Sequence, residues 1–155
     1  MKDESDLYPI TVYFDASCSL CNSEIQNIVL QDSHNRLICI DCSAADFDDT
    51  PFRAQGFTQK VLMDHMHVID QHGQWHKGAA AFELIYRSIN LNVIANLWGS
   101  RLSRPLAEKI YPWVARNRYL LSKTGLPFVF NFWGKFIAHQ AHKRSRQCHN
   151  GRCGI

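Results

Sequence analysis

The chain is expected to fold as a small α/β domain with a central sheet between helices, and three features of its 155 residues predict this. Ile10, Val12 and Phe14 alternate with Thr11, Tyr13 and Asp15, which is the period-two pattern of a strand. From Cys18 the pattern changes to helical period. Two further apolar runs, folded about a turn at Asp70-Gln71-His72-Gly73, precede a second strong helix. A strand, a helix and a strand in succession imply a parallel crossover, and the later turn implies a hairpin.

The elements follow in order. After the first strand, Cys21, Ile25, Ile28 and Val29 share one face while Ser19, Asn22, Ser23, Gln26 and Asn27 face away, so an amphipathic helix runs to about Gln31 with Ser17 as its N-cap. Leu37 to Asp41 reads as the second strand. Ser43 to Thr58 is polar and acidic, with Pro51 and Gly56, and reads as loop plus a short helix. Met66 to Ile69 and Gln74 to Lys77 are the hairpin strands, joined by a type I turn with Asp first and Gly last. Gly78 releases a helix whose Phe82, Ile85, Tyr86 and Ile89 keep helical spacing. Leu91 to Gly99 is helical, and Ser103-Arg104-Pro105 starts a helix through about Ser122 that Pro112 should kink.

This order matches the small thioredoxin-like α/β sandwich, with a helical extension at its C-terminal end. The expected division is a core over residues 8–90, a helical extension packed on it over 91–142, and a basic Cys/His tail over 143–155, expected to be mobile.

Composition bounds the function. With 46% hydrophobic and 20% charged residues the chain reads as a soluble globular protein. The charged start Met1 to Asp6 lacks the apolar run of a secretory signal, and no stretch reaches the roughly 18 apolar residues of a spanning helix, so a cytoplasmic location is expected. There the 6 cysteines would rest reduced, which favours catalysis or metal binding over structural disulfides. Charge is uneven: residues 1–108 hold 8 Lys and Arg against 14 Asp and Glu, whereas residues 109–155 hold 9 Lys and Arg and no acid. Such a region suits an anionic membrane surface or an acidic partner, or else a basic face that packs near the acidic first part. Repeats and nucleic-acid motifs are absent, so no specific nucleic-acid partner is expected.

The chemistry-bearing signal is Cys18-x-x-Cys21 at the start of a helix that follows a strand, the layout of a thiol–disulfide site. A cysteine attacks a disulfide as thiolate, and the unpaired N–H groups and positive dipole end of a helix start stabilise that charge. Cys18, in the first turn, is the expected exposed nucleophile. Cys21, three residues on and on the buried stripe, would resolve the mixed disulfide. Asp15 at the strand end has two readings: a buried carboxylate that accepts the proton of Cys21, or a cap for the turn's backbone N–H groups. No cofactor is implied.

Rival readings remain. Cys39-x-x-Cys42 completes C-x2-C-x17-C-x2-C, a spacing compatible with a four-cysteine zinc site. Against it, residues 39 and 42 of an extended strand point to opposite faces, which leaves Cys39 as a core residue and Cys42 near the site. His139, His142, Cys148 and Cys153 offer a second metal-ligand set or a second redox relay, set against a mobile tail with uncommitted thiols. His65, His67, His72 and His76 read as ordinary surface residues of the hairpin. Leu126 to Ile137 is aromatic and is followed by Lys143-Arg144-Ser145-Arg146, which suits either an interfacial helix or a last helix over the core. The alternative to a redox enzyme is therefore a zinc-binding or membrane-associated adaptor module without redox turnover.

Four separated motifs carry a resemblance. Asp15-x-x-Cys18-x-x-Cys21, His67-Val68-Ile69-Asp70-x-x-Gly73, Lys77-Gly78-Ala79-x-Ala81-Phe82 and Tyr111-x-Trp113-Val114-Ala115-x-Asn117-Arg118-Tyr119 resemble the DCC family of predicted thiol-disulfide oxidoreductases over roughly residues 9–122. The resemblance implies a thioredoxin-like fold, a redox-active Cys18/Cys21 pair, an important Asp15, and protein or small-molecule disulfide and thiol substrates. Ala16 stands where the family usually has Gly, and Ser19 where it often has Pro, so the redox potential does not carry over. Thioredoxins proper place a cis-proline before the third strand; Met63-Asp64-His65 occupies that neighbourhood here, so the wall facing the substrate differs.

Overall fold

The computed structural model describes residues 7–124. In chain order these form β1 (Ile10–Phe14), α1 (Ser19–Val29), β2 (Leu37–Asp41), α2 (Thr50–Arg53), α3 (Gln59–Asp64), β3 (His67–Ile69), β4 (Trp75–Lys77), α4 (Ala79–Ser88), α5 (Asn92–Gly99) and α6 (Arg104–Ser122). The readings placed on His139, His142, Cys148, Cys153 and residues 125–155 lie outside the described residues.

The strands form one sheet in the order β2-β1-β3-β4. β1 and β2 run parallel, with Ile10 opposite Leu37 and Phe14 opposite Asp41, and α1 supplies the crossover this pairing requires. β3 lies antiparallel on the other side of β1, and β4 closes the hairpin antiparallel to β3. This is the mixed α/β, thioredoxin-like arrangement, with a helix, α6, at the C-terminal end of the described chain.

Because β1 is central, both its faces are covered. Ile10, Val12 and Phe14 pack with Val68, with Ile25 and Ile28 of α1, and with Ala81 and Ile85 of α4. On the opposite face Tyr13 joins Cys42 and Leu62, flanked by Phe52, Phe57 and Trp75. The Phe57 and Trp75 rings stack with centroids 3.9 Å apart. Leu62 comes from α3, a helix the sequence reading did not anticipate. Its N-cap Thr58 accepts the Val61 N–H at 3.4 Å, and its six residues are too few to show a helical period.

Two local expectations need correction. His67 is buried, 2% exposed, with its Nδ1 2.8 Å from the His65 carbonyl and its ring edge-on to Phe57. Nor is His76 an uncommitted surface residue, since its Nε2 lies 3.0 Å from Asp70 Oδ2. β3 is an inner strand of a sheet covered on both faces, so His67 and its neighbour Val68 are both buried. The start of α6 rests on Pro105 in its first turn rather than on a side-chain cap, because the Ser103 hydroxyl is turned back to Ser100 and the Asn96 carbonyl. Pro112 lies within α6 and has no N–H to return to the Glu108 carbonyl, yet helix continues on both sides.

Candidate functional site

The Cys18/Cys21 pair sits where β1 gives way to α1. Cys18, not Ser17, is the N-cap of α1. Its backbone is extended at φ −84° and ψ 108°, and its Sγ accepts the Cys21 N–H at 3.5 Å. Ser17 is unavailable for that task because Asp15 Oδ1 accepts both its N–H at 3.0 Å and its hydroxyl at 2.5 Å. Both cysteines are free thiols.

The environment separates the two sulfurs. The Cys18 thiol is pulled down to about 6, first by a hydrogen bond from the Cys21 thiol, then by the N–H groups of Cys21 and Leu20 and the Arg118 charge, all acting against burial. The Cys21 thiol is pushed far up by the same hydrogen bond and by burial. These shifts favour thiolate on Cys18 and the proton on Cys21. The expected exposures are reversed: Cys18 is fully buried, whereas Cys21 is partly exposed. Cys18 nevertheless lies in the chain between exposed Ser17 and exposed Ser19.

Asp15 is buried, 2% exposed. While Oδ1 holds Ser17, Oδ2 accepts from Arg118 Nη2 at 3.0 Å and from the Tyr119 hydroxyl at 2.5 Å. Both partners come from α6, more than a hundred residues along the chain. Arg118 also donates through Nη1 to the Met63 carbonyl, and the Tyr111 hydroxyl accepts the Met66 N–H at 2.7 Å. α6 is thereby pinned to the strand-end turn and to the loop before β3, across the top of the dithiol. Of the two readings of Asp15, the turn-capping one is visible in these contacts. The sequence reading did not select Arg118, Tyr119 or Tyr111 as site residues. A signal was present: Tyr111, Val114, Ala115 and Arg118 recur at helical spacing, which sets a basic residue on an otherwise apolar stripe.

The zinc spacing dissolves in three dimensions. Cys39 packs toward the α1/α4 side of the sheet and Cys42 belongs to the opposite cluster, as the odd spacing requires. Burial raises the Cys39 thiol to about 11 and, together with Asp41, the Cys42 thiol to about 12. Neither favours thiolate near neutral pH. Among the described residues no group of three or more His, Cys, Asp or Glu side chains is gathered for a metal ion. Among those residues, too, no helix is long and apolar enough to cross a membrane.

An uncharacterised chloroplastic protein of Arabidopsis thaliana is 27% identical over 123 residues, 79% of this chain, and the match spans 56% of that relative's length. No solved structure matches the chain. The sequence profile of the DCC1-like thiol-disulfide oxidoreductases covers residues 12–124, which contain the strand, the dithiol and all of α6. The chain thus belongs to the DCC1-like thiol-disulfide oxidoreductase family.

Proposed function

We propose that the protein exchanges a dithiol for a disulfide through Cys18 and Cys21, with Cys18 as the attacking thiolate and Cys21 as the resolving thiol. The observation that carries this reading is the position of Cys18 as N-cap of α1, its Sγ accepting the Cys21 N–H. That placement supplies a fixed donor and a helix dipole where negative sulfur must persist. Cys18 is buried between exposed Ser17 and Ser19, so exchange requires this turn to open.

In the reducing direction Cys18 attacks a substrate disulfide, whose S–S bond breaks and releases one thiolate that takes up a proton. Cys21 then loses its proton and attacks Cys18 Sγ, expelling the second thiol and leaving a Cys18–Cys21 disulfide. Two electrons pass from protein to substrate. Asp15, engaged by four donors, serves as the anchor that fixes the turn and holds Arg118 beside the pair. The test is the pair of variants Cys21→Ser and Cys18→Ser. The first should accumulate a mixed disulfide through Cys18 with a model disulfide, and the second should abolish exchange. Unchanged exchange in both would defeat the proposal.

A further inference from the structure

Beside the dithiol lies a cavity of about 380 Å³, within the size range of small-molecule sites. Its walls are apolar and come from four helices, with Leu20 and Cys21 from α1, Phe82 from α4, Trp98 from α5, and Val114 and Leu121 from α6. The carboxylates at its edge are already engaged. Glu24 accepts a hydrogen bond from the Tyr86 hydroxyl, and both Asp15 oxygens are occupied.

Arg118 differs. It lines the cavity, it is 7% exposed, and its Nε–H has no hydrogen-bond partner among the described residues. A buried donor of this kind is normally satisfied, so an acceptor brought by a ligand fits it. An extended polypeptide, by contrast, finds little backbone to pair with at this wall. The Met66 N–H is held by Tyr111 and the Met63 carbonyl by Arg118.

We infer that the substrate is a small, neutral, largely apolar disulfide, or its thiols, that carries an oxygen acceptor for Arg118 Nε, with its apolar body in this cavity and its sulfurs at the Cys21 end. This rests on the exchange function proposed above. Multiply anionic disulfides are disfavoured because the guanidinium lining the cavity, Arg118, is already paired with Asp15 and the rest of the wall is largely apolar, so further anionic charge would be buried without compensation.

The test uses the full chain, pre-reduced, in single-turnover oxidation by hydroxyethyl, hydroxybutyl and hydroxyhexyl disulfides, with insulin as the polypeptide comparison. The rate constant should rise along the series, by up to about fourfold for each methylene that enters the cavity. Val114→Phe and Ala115→Phe, which fill the cavity, should flatten that rise. Heptyl disulfide, which matches the hydroxyhexyl compound in length but lacks the oxygen, should react at least about threefold more slowly. A flat series in the unsubstituted protein, an unaltered series in the filled variants, or insulin reacting faster than hydroxyhexyl disulfide would overturn the inference. Equal rates for the heptyl and hydroxyhexyl compounds would overturn the role given to Arg118 Nε. The series on the unsubstituted protein decides the matter even if both filled variants fail to fold. Failure of every disulfide to oxidise the pair would defeat the exchange function itself, whereas oxidation without chain-length dependence defeats only the substrate class.

Discussion

Replacing Arg118 with Met removes one partner of a buried ion pair and keeps most of the side-chain volume. The Asp15 and Arg118 side chains are 1% and 8% exposed, and Nη2 lies 3.0 Å from Oδ2. Stranding one partner of such a pair costs about 3–5 kcal/mol, against 0–1 for an exposed pair. The variant also loses the bond to the Met63 carbonyl, worth about 1 kcal/mol. Because a domain of this size is stable by about 5–15 kcal/mol, the loss should pull the urea midpoint down sharply. Asp15→Asn separates the two contributions. It strands the guanidinium but spares the Met63 bond, and the double variant removes both charges, so it should be less destabilised than the two single losses combined by about 2–3 kcal/mol. The assay is equilibrium urea unfolding of the four proteins, followed by tryptophan fluorescence. A loss below about 1 kcal/mol for Arg118→Met, with additive effects around the cycle, would show that α6 is not pinned to the strand-end turn as described.

Other expectations follow from the same contacts. Thiolate absorbance of the reduced protein should titrate near pH 6 and vanish in Cys18→Ser; since thiolate is the nucleophile, exchange should climb with pH through that value and then level off, and a midpoint near the free-cysteine value of about 8.5 would contradict the N-cap role. Tyr111→Phe leaves the buried Met66 N–H without its acceptor and should cost about 1–3 kcal/mol in urea unfolding, with a loss near zero counting against that bond. Gly78, at φ +61°, starts α4 in a conformation that side chains rarely adopt, and a Cβ there would lie 3.3 Å from the Tyr111 ring. Gly78→Ala should therefore lower stability by about 1–3 kcal/mol, a prediction that an unchanged melting temperature would refute.

Much of the fold is legible in local periods. β1 alternates, α1 and α4 carry their apolar faces at helical spacing, and the Asp70–Gly73 turn announces the β3/β4 hairpin. What escaped were features shorter than a period or dependent on a distant partner. α3 has six residues and a single buried side chain, Leu62, so no pattern could build up. Ser17 looked like the N-cap by residue type, but Asp15 claims its hydroxyl and Cys18 takes the position instead. His67 looked superficial because its burial depends on Phe57 and Trp75, brought in from elsewhere in the chain.

The site divides in the same way. The sequence by itself determined that two cysteines three residues apart would open a helix just past a strand, with Asp15 at the strand's end, because the change of period and the C-x-x-C spacing are local properties of the chain. Only the tertiary structure decided which sulfur is covered, what Asp15 holds, and that Arg118 and Tyr119 complete the site. Those contacts join residues 103 and 104 positions apart. They arise because α6 buries an apolar face against the core and carries one guanidinium with it into a place where only a carboxylate such as Asp15 can compensate the charge.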